Sequence, residues 1–126
     1  MKIALWIVQV LLAGLFLLSG GMKAAMPAAG LAENMLWVAD SPWWLPKLIG
    51  ISEVLGAIGL ILPAALRVLP VLTPVAASAL GVVMLLAMGM HAMYAEYGAI
   101  GMNAVILLMC AFVAWGRFVK EPVQPR

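Results

Sequence analysis

Ile3 to Met22 is a run of 20 residues without a single charge, bounded by Lys2 and Lys23. Tyr97 to Gly116, stopped by Arg117, is a second run of the same length. A helix of about 20 apolar residues crosses the hydrocarbon of a bilayer. Two more stretches have the same character. Leu48 to Leu66 is interrupted only by Glu53 and closes on Pro63 and Arg67, and Pro70 to Met93 carries its prolines, Pro70 and Pro74, in the first turns. Proline is best tolerated there, where a helix has no backbone donor to lose. Four such spans take roughly 80 residues and leave about 46 of the 126 for turns and tails.

Composition excludes the alternatives. The chain is 67% hydrophobic and 10% charged, against about half and a quarter in soluble domains. So small a domain could not bury the excess. A water-soluble enzyme, a disordered chain and a disulfide scaffold are excluded. The single cysteine, Cys110, permits no intrachain disulfide, and the single histidine, His91, no bis-histidine haem. Basic residues scattered along such a chain are no nucleic-acid footprint. The first span is too long for a signal-peptide core of about 7–15 residues and lacks a convincing cleavage site after it.

The expected fold is an all-α, up-down four-helix membrane bundle. A single domain, residues 1–118, has spans at about 3–23, 48–66, 70–93 and 97–116, followed by a frayed tail at 119–126. Lys2, Arg67, Arg117, Lys120 and Arg126 fall on one side and Lys23 and Lys47 on the other. Excess Lys and Arg mark the cytoplasmic side, so both termini are expected in the cytoplasm. The long outer loop, Ala24 to Lys47, is expected to carry a short interfacial helix in Leu31–Ala39. Trp37, Trp43 and Trp44 are expected to anchor it at headgroup level.

Polar residues inside the spans point to function. Glu96, Asn103, Cys110 and Arg117 repeat every seven positions, as do Gln9, Phe16 and Lys23, then Glu53, Leu60 and Arg67, then Met84 and His91. Seven residues are nearly two helical turns, so each set is a stripe on one face. Lipid cannot satisfy polar groups, so the stripes should face each other. Depth along the helices gathers Ser19, Lys23, Ser52, Glu53, His91, Glu96 and Asn103 in the outer half of the bundle, with little but Gln9 in the inner half. Lys23 is the expected partner of Glu53. Asn103 can donate and accept, as a quinone carbonyl or phenol requires. The plainer alternative is an ion pair that fixes register, with Asn103 as interhelical glue. Met84, Met88 and Met90 near His91 read as core filler before they read as a soft-metal site.

The chain resembles the DoxX/DoxD-like membrane proteins. The resemblance rests on Phe16-Leu-Leu-Ser19-Gly20-Gly-Met-Lys23, on Leu48-Ile-Gly-Ile-Ser-Glu53-Val-Leu-Gly56-Ala-Ile-Gly59-Leu-Ile-Leu-Pro63, and on Gly101-Met-Asn103. It covers about residues 3–118. It implies a four-helix bundle in a bacterial inner membrane and matches Lys23 and Glu53 to the family's polar pair. Members include subunits of thiosulfate:quinone oxidoreductase and partners of membrane oxidoreductases, so a quinone ligand and an oxidoreductase partner are the expectation. A homo-oligomer is a further one. With no cysteine pair, sulfur chemistry by this chain alone is disfavoured. The resulting readings are a redox-linked accessory subunit, a non-catalytic assembly protein and, third, a small proton-coupled exporter.

Overall fold

A computed structural model describes residues 1–27, 30–31 and 36–126. Its long elements are α1 (Lys2–Ala25), α3 (Trp44–Leu66), α4 (Leu72–Met93) and α5 (Tyr97–Trp115), with the short helix α2 (Leu36–Ala39) before α3. Each of the four long helices is apolar and long enough to span a bilayer. In lipid a spanning backbone must bond to itself, and a helix does so within its own segment.

The helix ends follow local chemistry. α1 stops where Met26 takes an extended conformation (φ −80°, ψ 145°), ahead of Pro27. The residue before a proline is driven out of the helical region. Lys47 Nζ donates to the Ala24 carbonyl at 3.3 Å, where the last helical carbonyls have no partner of their own. α3 begins at Trp44, earlier than Leu48, because Pro46 fits in the first turn. It ends on Arg67 in the left-handed conformation. After Trp115, α5 widens into a π-helical turn, Gly116–Lys120, closed by Glu121 N–H on the Gly116 carbonyl. The fourth span therefore runs past the expected stop at Arg117.

Pro63 sits inside α3 and has no N–H to give the Gly59 carbonyl four residues before it. The buried Thr73 hydroxyl donates to that carbonyl at 2.9 Å. A side chain of α4 thus replaces the donor that Pro63 removes from α3.

α1 packs along α3, α4 packs along α5, and α3 meets α4, whereas α1 and α5 touch over a much shorter length. Both termini lie at one end, called here the terminus end, and the connection between α1 and α3 lies at the other, the loop end. Leu12, Phe16, Ala57, Leu60, Ala77, Leu80, Met84, Cys110 and Val113 form the central core. Leu31, Trp37 and Val38 form a second cluster at the loop end with Met26, Leu45, Ile49, Met90 and Tyr94.

Three expectations change. The tail does not fray: Arg67 Nε donates to the Gln124 carbonyl at 2.7 Å, and the Arg126 N–H donates to the Arg67 carbonyl at 3.1 Å. Trp37 is buried, 7% exposed, rather than set in an aromatic belt, while Trp43 and Trp44 are exposed. Of the expected loop helix, residues 36–39 are helical, and 32–35 lie outside the described residues.

Candidate functional site at the loop end

The site starts from two glycines. Where α1 crosses α3, a Cβ added to Gly20 would sit 2.6 Å from the Gly50 carbonyl oxygen, and one added to Gly50 would sit 2.6 Å from the Gly20 carbonyl oxygen. The backbones are in direct contact, as small residues allow between membrane helices. Because α1 and α3 run antiparallel, Lys23, three residues after Gly20, lies beside Gly50, and Glu53, three after Gly50, lies beside Gly20, so the two charges flank the crossing on its inward face. They meet there: Lys23 Nζ donates to Glu53 Oε1 at 2.6 Å. Glu53 is 1% exposed, and its lysine is mostly covered. A carboxylate held so far from water needs such a partner.

The pair lies on the wall of a cavity of about 360 Å³, within the range of about 300–1,000 Å³ typical of small-molecule sites. Ser19, His91 and Asn103 share the wall with it. The rest is apolar and includes Phe16, Met84, Met90 and Trp37. Five residues expected at the site, on four helices, therefore converge on one space.

Two expected members stand elsewhere. Ser52 is exposed, and its hydroxyl donates to the Leu48 carbonyl of its own helix at 2.8 Å. Neighbours in sequence are about 100° apart around a helix, so Ser52 cannot share the inward face of Glu53. Glu96 stands behind the wall, with its Oε1 3.1 Å from His91 Nδ1. It orients the ring rather than lining the cavity.

Leu15 and Met102 line the cavity and are also 47% and 67% exposed. Leu15 lies about 12 Å along α1 from Lys23, and Met102 about 8 Å along α5 from Tyr97. The mouth between α1 and α5 thus opens at hydrocarbon depth. Trp37, Met90 and Met102 are cavity residues that polarity could not flag, because apolar walls carry no signal distinct from the core.

A second polar cluster joins α1 to the turn after α5 at the terminus end, where little beyond Gln9 was expected. Arg117 turns inward, 5% exposed. Its Nε donates to Gln9 Oε1 at 2.7 Å, and Gln9 Nε2 donates to the Leu60 carbonyl at 2.7 Å. A guanidinium can only donate, which fixes the glutamine amide in this orientation. Arg117 Nη1 donates to the Glu121 carbonyl at 3.1 Å, and Cζ stands 5.4 Å from the centre of the Trp6 ring. The seven-residue stripe through Cys110 was the signal for this burial.

Four apolar helices long enough to cross a bilayer, around a largely apolar cavity with a few polar side chains, define a multi-pass membrane protein. The chain belongs to the DoxX-like family, whose model it matches over residues 7–113. Neither curated proteins nor solved structures provide a match.

Proposed function

We propose that the chain is a redox-linked accessory subunit that binds a quinone, or a similar small apolar molecule with polar oxygens, in the loop-end cavity. One observation carries the reading. Lys23, Glu53, His91, Asn103 and Ser19 share a wall with apolar side chains, and the mouth at Leu15 and Met102 faces hydrocarbon. A molecule dissolved in the bilayer could enter sideways and present its oxygens to donors and acceptors it lacks in lipid. Lys23 and Asn103 offer N–H groups to a carbonyl, and Asn103 also offers an acceptor to a hydroxyl. Electron transfer would fall to a partner oxidoreductase in the same membrane. The excess of Lys and Arg at the terminus end supports cytoplasmic termini, and the family resemblance favours a bacterial inner membrane.

The test is binding of a short-chain ubiquinone analogue to the purified chain, followed by quenching of tryptophan fluorescence. Trp37→Phe identifies the quenching that arises in the cavity. Glu53→Gln and Lys23→Ala should each weaken binding about tenfold or more, the loss of roughly one hydrogen bond to a charged group. Unchanged affinity in both variants would sink the proposal.

The glycine crossing favours a second reading, a non-catalytic assembly protein in which Lys23–Glu53 only locks α1 to α3. Replacing both charges by apolar residues would then preserve fold and partner association.

A further inference from the structure

Lys23 occupies only one of the two oxygens of Glu53. Oε1 takes the ammonium, and Oε2 accepts from no group among the described residues. Among the described residues that are buried or half-buried, Arg117 Nη2 is the one side-chain nitrogen or oxygen both unpartnered and shut off from open space. Glu53 Oε2 therefore borders open space, although its side chain is only 1% exposed. The space that Glu53 lines is the loop-end cavity. A buried carboxylate oxygen thus meets the cavity with its lone pairs unused.

The other polar side chains of the wall are open in the same way. His91 Nε2, both amide atoms of Asn103 and the Ser19 hydroxyl have no partner among the described residues and are not shut off. His91 is joined to Glu96 through Nδ1. A carboxylate only accepts, so the neutral ring carries its proton on Nδ1 and a lone pair on Nε2. Asn103 and Ser19 both donate and accept, and Lys23 only donates. The acceptors at Glu53 and His91 call for a ligand with hydrogens to give.

A hydroxyl fits Glu53 better than a carbonyl or an ammonium. It donates to Oε2 while its own oxygen accepts from a remaining N–H of Lys23. A carbonyl would meet Lys23 but leave Oε2 unpaired, and a buried acceptor is costly to leave so. An ammonium would satisfy Oε2 but stand against the charge of Lys23. Gly56 lies against Leu80 and Gly59 against Ala76. Glu53 is therefore level with about Met84, roughly 10 Å along α4 from His91. The two acceptors stand at different depths and serve separate groups of one ligand.

We propose that the loop-end cavity selects the hydroxylic over the carbonyl form of its ring ligand, with Glu53 Oε2 accepting from one hydroxyl and His91 Nε2, its tautomer fixed by Glu96, from a second. This selectivity rests on the cavity being the ligand site, as proposed above, and adds the form that it holds.

The full chain in detergent is titrated calorimetrically under argon with a short-chain ubiquinol analogue, the matching ubiquinone analogue and the dimethyl ether of the quinol. The quinol should bind about tenfold or more tighter than either of the others, the worth of a hydrogen bond to a charged acceptor. In Glu53→Gln the amide satisfies Lys23 with its oxygen and turns its NH2 to the cavity, which should collapse the preference. His91→Phe keeps a ring and removes the acceptor, and should weaken the preference severalfold; it carries the test if Glu53→Gln does not fold. Glu96→Gln, which no longer fixes the tautomer, should weaken it in the same direction. Equal affinities for quinol and quinone, or a preference that either Glu53→Gln or His91→Phe leaves intact, overturn the proposal while the cavity stands as the ligand site. If none of the three compounds binds, the ligand site falls with it.

Discussion

Gly20 and Gly50 oppose each other across the crossing of α1 and α3 so closely that neither position has room for a Cβ. Their close approach sets the reach of Lys23 to Glu53, which flank the crossing. The atoms that a new methyl would meet include backbone atoms of the facing helix, which cannot swing aside as a side-chain tip can. Gly20→Ala and Gly50→Ala are each expected to cost about 1–3 kcal/mol as overpacking. Thermal unfolding in detergent measures the loss. Gly14→Ala, at a position with nothing within 4 Å of the added Cβ, should show no such cost.

Removing one partner of the buried pair strands the other. Glu53→Leu alone should destabilise by about 3–5 kcal/mol, whereas Lys23→Met with Glu53→Leu should cost clearly less than Glu53→Leu alone. A double-mutant cycle on the unfolding free energies reads the coupling directly. Additive losses would mean that the two charges do not compensate each other.

Thr73 and Pro63 are expected to be coupled although they stand on different helices. Thr73→Val leaves the Gly59 carbonyl without its hydroxyl donor, at a cost of about 1–3 kcal/mol for a buried unsatisfied group. Pro63→Ala restores an N–H in the right register. In that background the cost of Thr73→Val should largely vanish, as the same stability measurements would reveal.

Ala95 has φ 56° in the turn between α4 and α5. A left-handed conformation costs a residue with a Cβ about 1–2 kcal/mol, of which glycine's greater unfolded freedom returns roughly 0.5–1. Ala95→Gly should therefore stabilise the chain by up to about 1 kcal/mol. An unchanged or lower midpoint would contradict the account.

The same turn carries an alkaline dependence. Tyr94 Oη donates to Asp40 Oδ2 at 2.5 Å. That bond, with some desolvation and the charge of Asp40, raises the phenol above its ordinary 10.0. A raised folded value means that the protonated form is favoured by folding. The contribution is complete below about pH 10 and is lost as pH climbs through the folded value. The midpoint difference between wild type and Tyr94→Phe should therefore shrink between pH 8 and pH 11.

The spans were legible because uncharged runs of this length have few other folds. The inward faces of Glu53, Asn103 and Arg117 were legible because seven-residue spacing is a geometric statement about a helix. Ser52 misled because nearness in sequence is not nearness on a helix face. Trp37 could not be placed from its own chemistry, since an indole suits a headgroup belt as well as a core. Its burial depends on Met90 and Tyr94, far along the chain. The docked tail likewise depends on Arg67, contributed by a different turn. Contacts of that separation leave no local trace.

The Arg117–Gln9 bond ties the fourth span to α1 at the terminus end, while the mouth at Leu15 and Met102 lies between the same two helices at the other end. With its fulcrum at Arg117, the helix carries Met102 at a radius of about 22 Å. A tilt of roughly 5° would then move Met102 by about 2 Å, against the packing of α4 along α5. Gln9, which is not in the lining of the cavity, is then a place from which the width of its mouth can be changed. Gln9→Leu should loosen the pivot and quicken thiol labelling at Met102→Cys, an effect delivered from the opposite face of the membrane.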